Sequence, residues 1–134
     1  MAKKIFINLP VTNLQSSMDF YAKLGFNNNP MFTDETAACM VLTEEIYVML
    51  LTHPKFASFA SRPTGDAKAS TAVINTISVD TLDEMNAMAD AALKSGGSEP
   101  HVPVNYGFMQ QRSFNDLDGH HWEVVFMDMS QFPA

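Results

Sequence analysis

A chain of 134 residues, 46% hydrophobic and 17% charged, can bury roughly two-thirds of its unfolded surface in one core, which excludes a disordered chain and a disulfide-stapled miniprotein. The 8 Lys and Arg against 15 Asp and Glu leave a net charge of −7, which repels phosphate backbones and anionic headgroups and argues against nucleic acid and membrane as partners. Cys39 is the single cysteine, so no disulfide framework or thiolate cluster is expected, and a reducing, cytoplasmic setting follows. Asn8 and Pro10 interrupt the first apolar run before a signal segment develops, and no stretch approaches the roughly 20 apolar residues of a membrane span. The 10 Met and 10 Phe suit either irregular packing around a cavity or a soft, filled core.

Residues 3–10 read as a strand stopped by Pro10, and Thr12-Asn13-Leu14-Gln15 reads as a capping box opening a helix. Leu14, Met18, Tyr21 and Leu24 recur at helical spacing, and Gly25 closes the segment. Strands are expected near 26–32, 36–43 and 46–52, with turns at Asp34-Glu35 and Glu44-Glu45. Residues 53–70 hold Pro54, Pro63 and Gly65 among small residues. They read as a linker with about one helical turn over Lys55–Ala60, serving as a passive connection or a lid.

The second half repeats this order. A strand over 71–79 leads into a helix capped by Thr81-Leu82-Asp83-Glu84. Leu82, Met85, Ala89, Ala92 and Leu93 form its apolar stripe, and Gly96-Gly97 ends it. Three strands follow near 98–104, 107–115 and 120–127. Val11 and Leu14 match Val79 and Leu82 at a spacing of 68 residues, and by the glycines the spacing has grown to 71 or 72 because the second helix is longer. The expected fold is α+β, a single domain over 1–134 built from two βαβββ modules at about 3–52 and 71–128.

Near the end, Asp116-Leu117-Asp118-Gly119 suits a type I turn followed by a left-handed glycine, making a bulged hairpin. With a three-residue loop, Ser113 falls opposite Glu123 and Gln111 shares their face. Trp122, Val124 and Phe126 then point the other way. Arg112 alternates with Phe114 onto the helix side, where an ion pair or a dimer contact is expected. Tyr106-Gly107-Phe108 is expected to enter the penultimate strand.

The repeat, the opening Leu9-Pro10-Val11-Thr12-Asn13-Leu14 with Ser17-Met18-Asp19-Phe20-Tyr21, and the run from Phe114 to Glu123 together resemble the vicinal oxygen chelate superfamily. That superfamily includes glyoxalase I, bleomycin-resistance proteins, fosfomycin-resistance transferases and extradiol dioxygenases. Leu117 stands where its members usually carry proline. The resemblance implies a cup of strands from both modules, often in a homodimer, with a divalent metal held by four side chains. Those positions fall on Phe6, Leu50, Ile74 and Glu123. Only Glu123 is a metal donor, and one carboxylate does not replace a divalent ion's hydration shell. No cofactor is therefore expected at the usual position, and the Lewis-acid chemistry that depends on it is not expected either.

The expected binding residues are Phe6, Asn8, Leu50, Ile74, Thr76, Gln111, Ser113 and Glu123, around a small organic ligand in an apolar cup. Glu123 is either an anchor and general acid–base or a part-buried acid satisfied by its neighbours. The alternative is a metal-dependent glyoxalase-type lyase or isomerase, akin to lactoylglutathione lyases, or a dioxygenase. It would use a divalent metal at a displaced site formed by His121 and Glu123, about 6 to 7 Å apart on one strand face. A third reading is an interaction protein whose cup is filled by its own Met and Phe. Cys39 reads as a buried structural thiol, and His53 and His101 as loop residues outside any constellation.

Overall fold

In the computed structural model, which describes residues 2–131, the first apolar alternation forms β1 (Ile5–Val11). Residue 1 and residues 132–134 of the expected domain lie outside the described range. Pro10 does not stop the strand, which continues to Val11; the ring occupies an edge strand, where a missing N–H is tolerated. The helix α1 (Leu14–Lys23) begins one residue later than its expected cap. Asn13, rather than Thr12, is the N-cap, and its side chain accepts from the Ser16 N–H at 3.0 Å. The buried face of α1 is Ser17, Phe20 and Tyr21, with Leu24 following; Leu14 and Met18 are only half-buried. The aromatic pair wins this face because Tyr21 packs edge-on against both Phe20 and Phe26 at 5.2 Å.

Strand β2 is only Asn27–Asn29, because a single 3-10 turn at Pro30–Phe32 ends it. Asp34 then turns the chain into β3 (Ala37–Val41), its carboxylate accepting from the N–H groups of Thr36 and Ala37 and from the Thr36 hydroxyl. These donors hold the Asp34 carboxyl below the usual range. Strand β4 (Ile46–Thr52) pairs parallel with β1 and antiparallel with β3, giving the sheet order β1-β4-β3-β2. The supposed linker begins as a helix, α2 (His53–Phe59), packed on β1 and β4. His53 is thus a helix residue rather than a loop residue.

The chain divides into two compact units, Met1–Asp66 and Ala67–Ala134. In the second, β5 (Ile74–Val79) starts three residues later than expected. Thr81 caps α3 (Leu82–Lys94) as the sequence suggests, accepting from the Glu84 N–H at 3.1 Å. Met85, Ala89 and Ala92 form the buried stripe, while Leu82 and Leu93 stay exposed at its margins. The segment 98–104 is not a strand: a single bridge joins Ser98 to Asn115, and β6 is only Val104–Asn105. Tyr106, Gly107 and Phe108 form the turn before β7 (Met109–Asn115) rather than its start, with Gly107 donating to the Asn105 side chain. Strand β8 (His121–Met127) completes the order β5-β8-β7-β6, with β5 parallel to β8. Among the described residues no helix is long and apolar enough to cross a membrane.

The β7–β8 hairpin has the expected three-residue loop. Asp116 and His120 pair through their backbones, and the Asp116 carboxylate accepts from the N–H groups of Asp118 and His120 at 3.0 and 2.8 Å. Gly119 has φ +89°, and a Cβ there would lie 3.0 Å from the backbone of Ala67 and from the Lys68 side chain. Leu117 reaches the glycine that ends α3: a Cβ on Gly96 would lie 3.0 Å from its methyl. The loop is thereby pinned by packing.

Behind the hairpin, Trp122 stacks with Phe114, both fully buried, and Val124 continues that face. Arg112 lies on the same side. It donates to both Glu99 oxygens at 2.9 and 3.0 Å, to Asp90 at 2.8 Å and to Asn86 at 3.2 Å, tying β7 to α3. The Glu99 and Asp90 carboxylates together raise the Arg112 pKa further above its ordinary value.

Gly119→Ala should destabilise the fold by about 2 kcal/mol, from the left-handed backbone plus the approach to Ala67; urea unfolding measures it. Arg112→Ala should cost about 2 kcal/mol by leaving the part-buried Glu99 carboxylate without its donors, read by the same unfolding experiment.

Candidate functional site

Strand parity sorts the second sheet into two faces. Asn75, Ile77, Phe114, Trp122 and Val124 face the helix, whereas Ile74, Thr76, Gln111, Ser113, His121 and Glu123 share the opposite face. Glu123 stands at the centre of this second face: in register it lies opposite Ser113 on β7 and beside Thr76 on β5. The Thr76 hydroxyl donates to its Oε1 at 3.3 Å and the Gln111 amide to its Oε2 at 3.5 Å. Both distances lie at the long end of hydrogen bonding, so the carboxylate is oriented while much of its acceptor capacity stays unused.

Ser113 is the exception to the expected arrangement. The residue is 5% exposed, and its Oγ has no hydrogen-bond partner among the described residues. Glu123 is held from β5 and from Gln111 instead. A buried hydroxyl without a partner is costly in a native fold. His121 adds a second such atom, its Nε2, also buried and unpartnered among the described residues.

The structure also brings in a residue that sequence reasoning set aside. The His101 ring lies 5.9 Å from the His121 ring, centroid to centroid, at 40°. Nothing in the local sequence signals this, since His101 belongs to the irregular segment after α3 and meets β8 only through tertiary folding. Val125 and Met127 continue the Glu123 face by parity, Val125 buried and Met127 exposed.

In the first unit, Phe6 and Asn8 share a face with Tyr47 and Met49 of β4. Phe6 stacks on Tyr47 at 4.5 Å, and the Lys4 ammonium lies 5.5 Å from the centre of the Tyr47 ring. The Asn8 amide donates to the Phe6 carbonyl at 3.3 Å. Leu50 does not join them. It pairs with the buried Leu9 and points to the helix side, fully buried. Tyr47 and Met49 are the β4 residues that parity with β1 selects, and the β1–β4 register is the signal that identifies them. Cys39 is buried, and burial pushes its thiol pKa up, consistent with a structural thiol.

The residues at the metal positions do not fit a metal. Phe6 and Ile74 present hydrocarbon and Leu50 is turned into the core, which leaves Glu123 as a single carboxylate donor, too few to replace a divalent ion's hydration shell. Among the described residues no group of three or more His, Cys, Asp and Glu is arranged to hold one.

Two βαβββ units, each with its first and last strands parallel, define the architecture of the glyoxalase/bleomycin resistance/dioxygenase proteins, the vicinal oxygen chelate fold. The chain is similar to a hypothetical protein from S. aureus, with 24% identity over 94% of this chain and 95% of that one, at a TM-score of 0.77. It is also similar to a glyoxalase/bleomycin resistance protein/dioxygenase family enzyme from Burkholderia phytofirmans, with 16% identity, 94% and 99% coverage and a TM-score of 0.76. The fosfomycin resistance protein FosX from Mesorhizobium loti matches at 13% identity, 97% coverage of both chains and a TM-score of 0.68. No family model and no curated protein matches the sequence. At these identities the likeness establishes the fold.

Ser113→Ala should leave stability unchanged or raise it by about 1 kcal/mol, because it removes a buried hydroxyl that has no partner among the described residues. A loss of more than about 1 kcal/mol in denaturant unfolding would show that the hydroxyl is satisfied in the folded protein.

Proposed function

We propose that the chain binds a small organic molecule against the Glu123 face of the second sheet, with Glu123 as the polar anchor and without the metal of its fold class. The observation that carries this reading is the buried Ser113 Oγ, unpartnered among the described residues, directly opposite a loosely held carboxylate. Two polar groups side by side with unused hydrogen-bonding capacity, rimmed by Ile74 and Val125, form the pattern of a ligand site. Where the ligand carries an exchangeable proton, Glu123 is the general acid–base of this proposal. The same reading takes the protein as a cytoplasmic homodimer, supported by its single cysteine and by the exposed Phe6, Val73 and Ile74.

A second reading draws on the His101–His121 pair and the unpartnered His121 Nε2. Imidazoles this close are a starting point for a displaced divalent metal site, the setting for a glyoxalase-type lyase, isomerase or dioxygenase.

Elemental analysis after dialysis against nickel, zinc, manganese and iron(II), without chelator, separates the two. The first reading expects well under one metal per chain, together with Nile red binding that Glu123→Gln alters. About one metal per chain, lost in His121→Ala, would overturn the metal-free reading in favour of the second.

A further inference from the structure

The charge around Glu123 narrows the class of ligand. The second unit, residues 67–134, carries nine Asp and Glu but only Lys68, Lys94 and Arg112 as cations. Arg112 is on the helix side of β7, engaged by Glu99 and Asp90. Lys94 is in the last turn of α3, and the Lys68 side chain packs beside Gly119 at the hairpin loop. None of the three lies on the strand face that holds Glu123. That face presents Ile74, Thr76, Gln111, Ser113 and Val125 around the carboxylate, all of them neutral. The titratable groups nearest along the sheet are His121, two residues away on the same face, and His101 beside it.

A carboxylate without a cationic partner on its own strand face is most stabilised by a ligand that brings the positive charge itself. Its two protein donors are neutral and distant, at 3.3 and 3.5 Å. The Ser113 Oγ, in register with it, has lone pairs that no described group uses. A protonated amine carries several N–H donors on one centre and can serve both acceptors, while its hydrocarbon lies on the exposed Ile74. A ligand carboxylate or phosphate meets repulsion from Glu123 and finds no cation among the described residues of this strand face. Resting on the small-molecule reading above, we propose that this site takes protonated amines with an apolar body and rejects organic anions.

Three probes of matched shape test it: 2-phenylethylamine, 2-phenylethanol and 3-phenylpropionate, each titrated at pH 8 with binding followed by calorimetry and by backbone amide shifts on β5, β7 and β8. The expected result is amine binding at least tenfold tighter than the alcohol, with the propionate weakest of the three. Glu123→Gln should abolish the amine's advantage while the alcohol still binds, the residual contact showing that the variant is folded. Equal affinity for amine and alcohol, or a preference for the propionate, overturns the amine assignment and leaves the small-molecule reading standing. Binding of none of the probes at millimolar concentration overturns both.

Discussion

The two hydrogen bonds that the Asp116 carboxylate accepts from Asp118 and His120 set the register of the second sheet. In an antiparallel pair a slip of one residue exchanges the two faces. Here a slip would turn Glu123 toward the helix and Trp122 outward. The left-handed Gly119 and the seat of Leu117 on Gly96 close the same loop from either side. The placement of the candidate site is therefore a consequence of turn chemistry several residues away from it.

The opposite face makes that register energetically unambiguous. Trp122, Phe114 and Val124 are fully buried against the helix layer, and losing such side chains from a core costs several kcal/mol each. Arg112 adds direction to this packing, because its guanidinium reaches Glu99 and two residues of α3 at once. With its cation used there, the strand presents only neutral groups beside Glu123. The same arrangement that stabilises the sheet leaves the carboxylate without a cation from its own strand face.

In the first unit parity works against part of the sequence reading. The superfamily resemblance puts Phe6 and Leu50 together at a metal, yet the β1–β4 register sets Phe6 beside Tyr47 and Leu50 beside Leu9. One residue along a strand separates an exposed face from the core. A motif specifies which strand a position belongs to more readily than which side of the sheet it faces. Glu123 escaped this ambiguity because a short, well-specified turn lies only a few residues before it. His101 escaped notice for the opposite reason, since no local pattern links an irregular segment to a strand twenty residues later.

The sequence by itself determined the repeat, the βαβββ order, the helix caps near Asn13 and at Thr81, the hairpin loop and the pairing of Ser113 with Glu123. These are encoded locally, in hydrophobic periodicity, capping side chains and turn residues that act over a few positions. Tertiary structure alone decided which aromatic residues fill the α1 face, that Leu50 belongs to the core and that His101 meets His121. It also decided that, among the described residues, Ser113 is left without a partner while Thr76 and Gln111 hold Glu123. Such features depend on sheet register and on contacts between distant segments, where competition for burial and for hydrogen-bond partners is settled only when the whole unit packs.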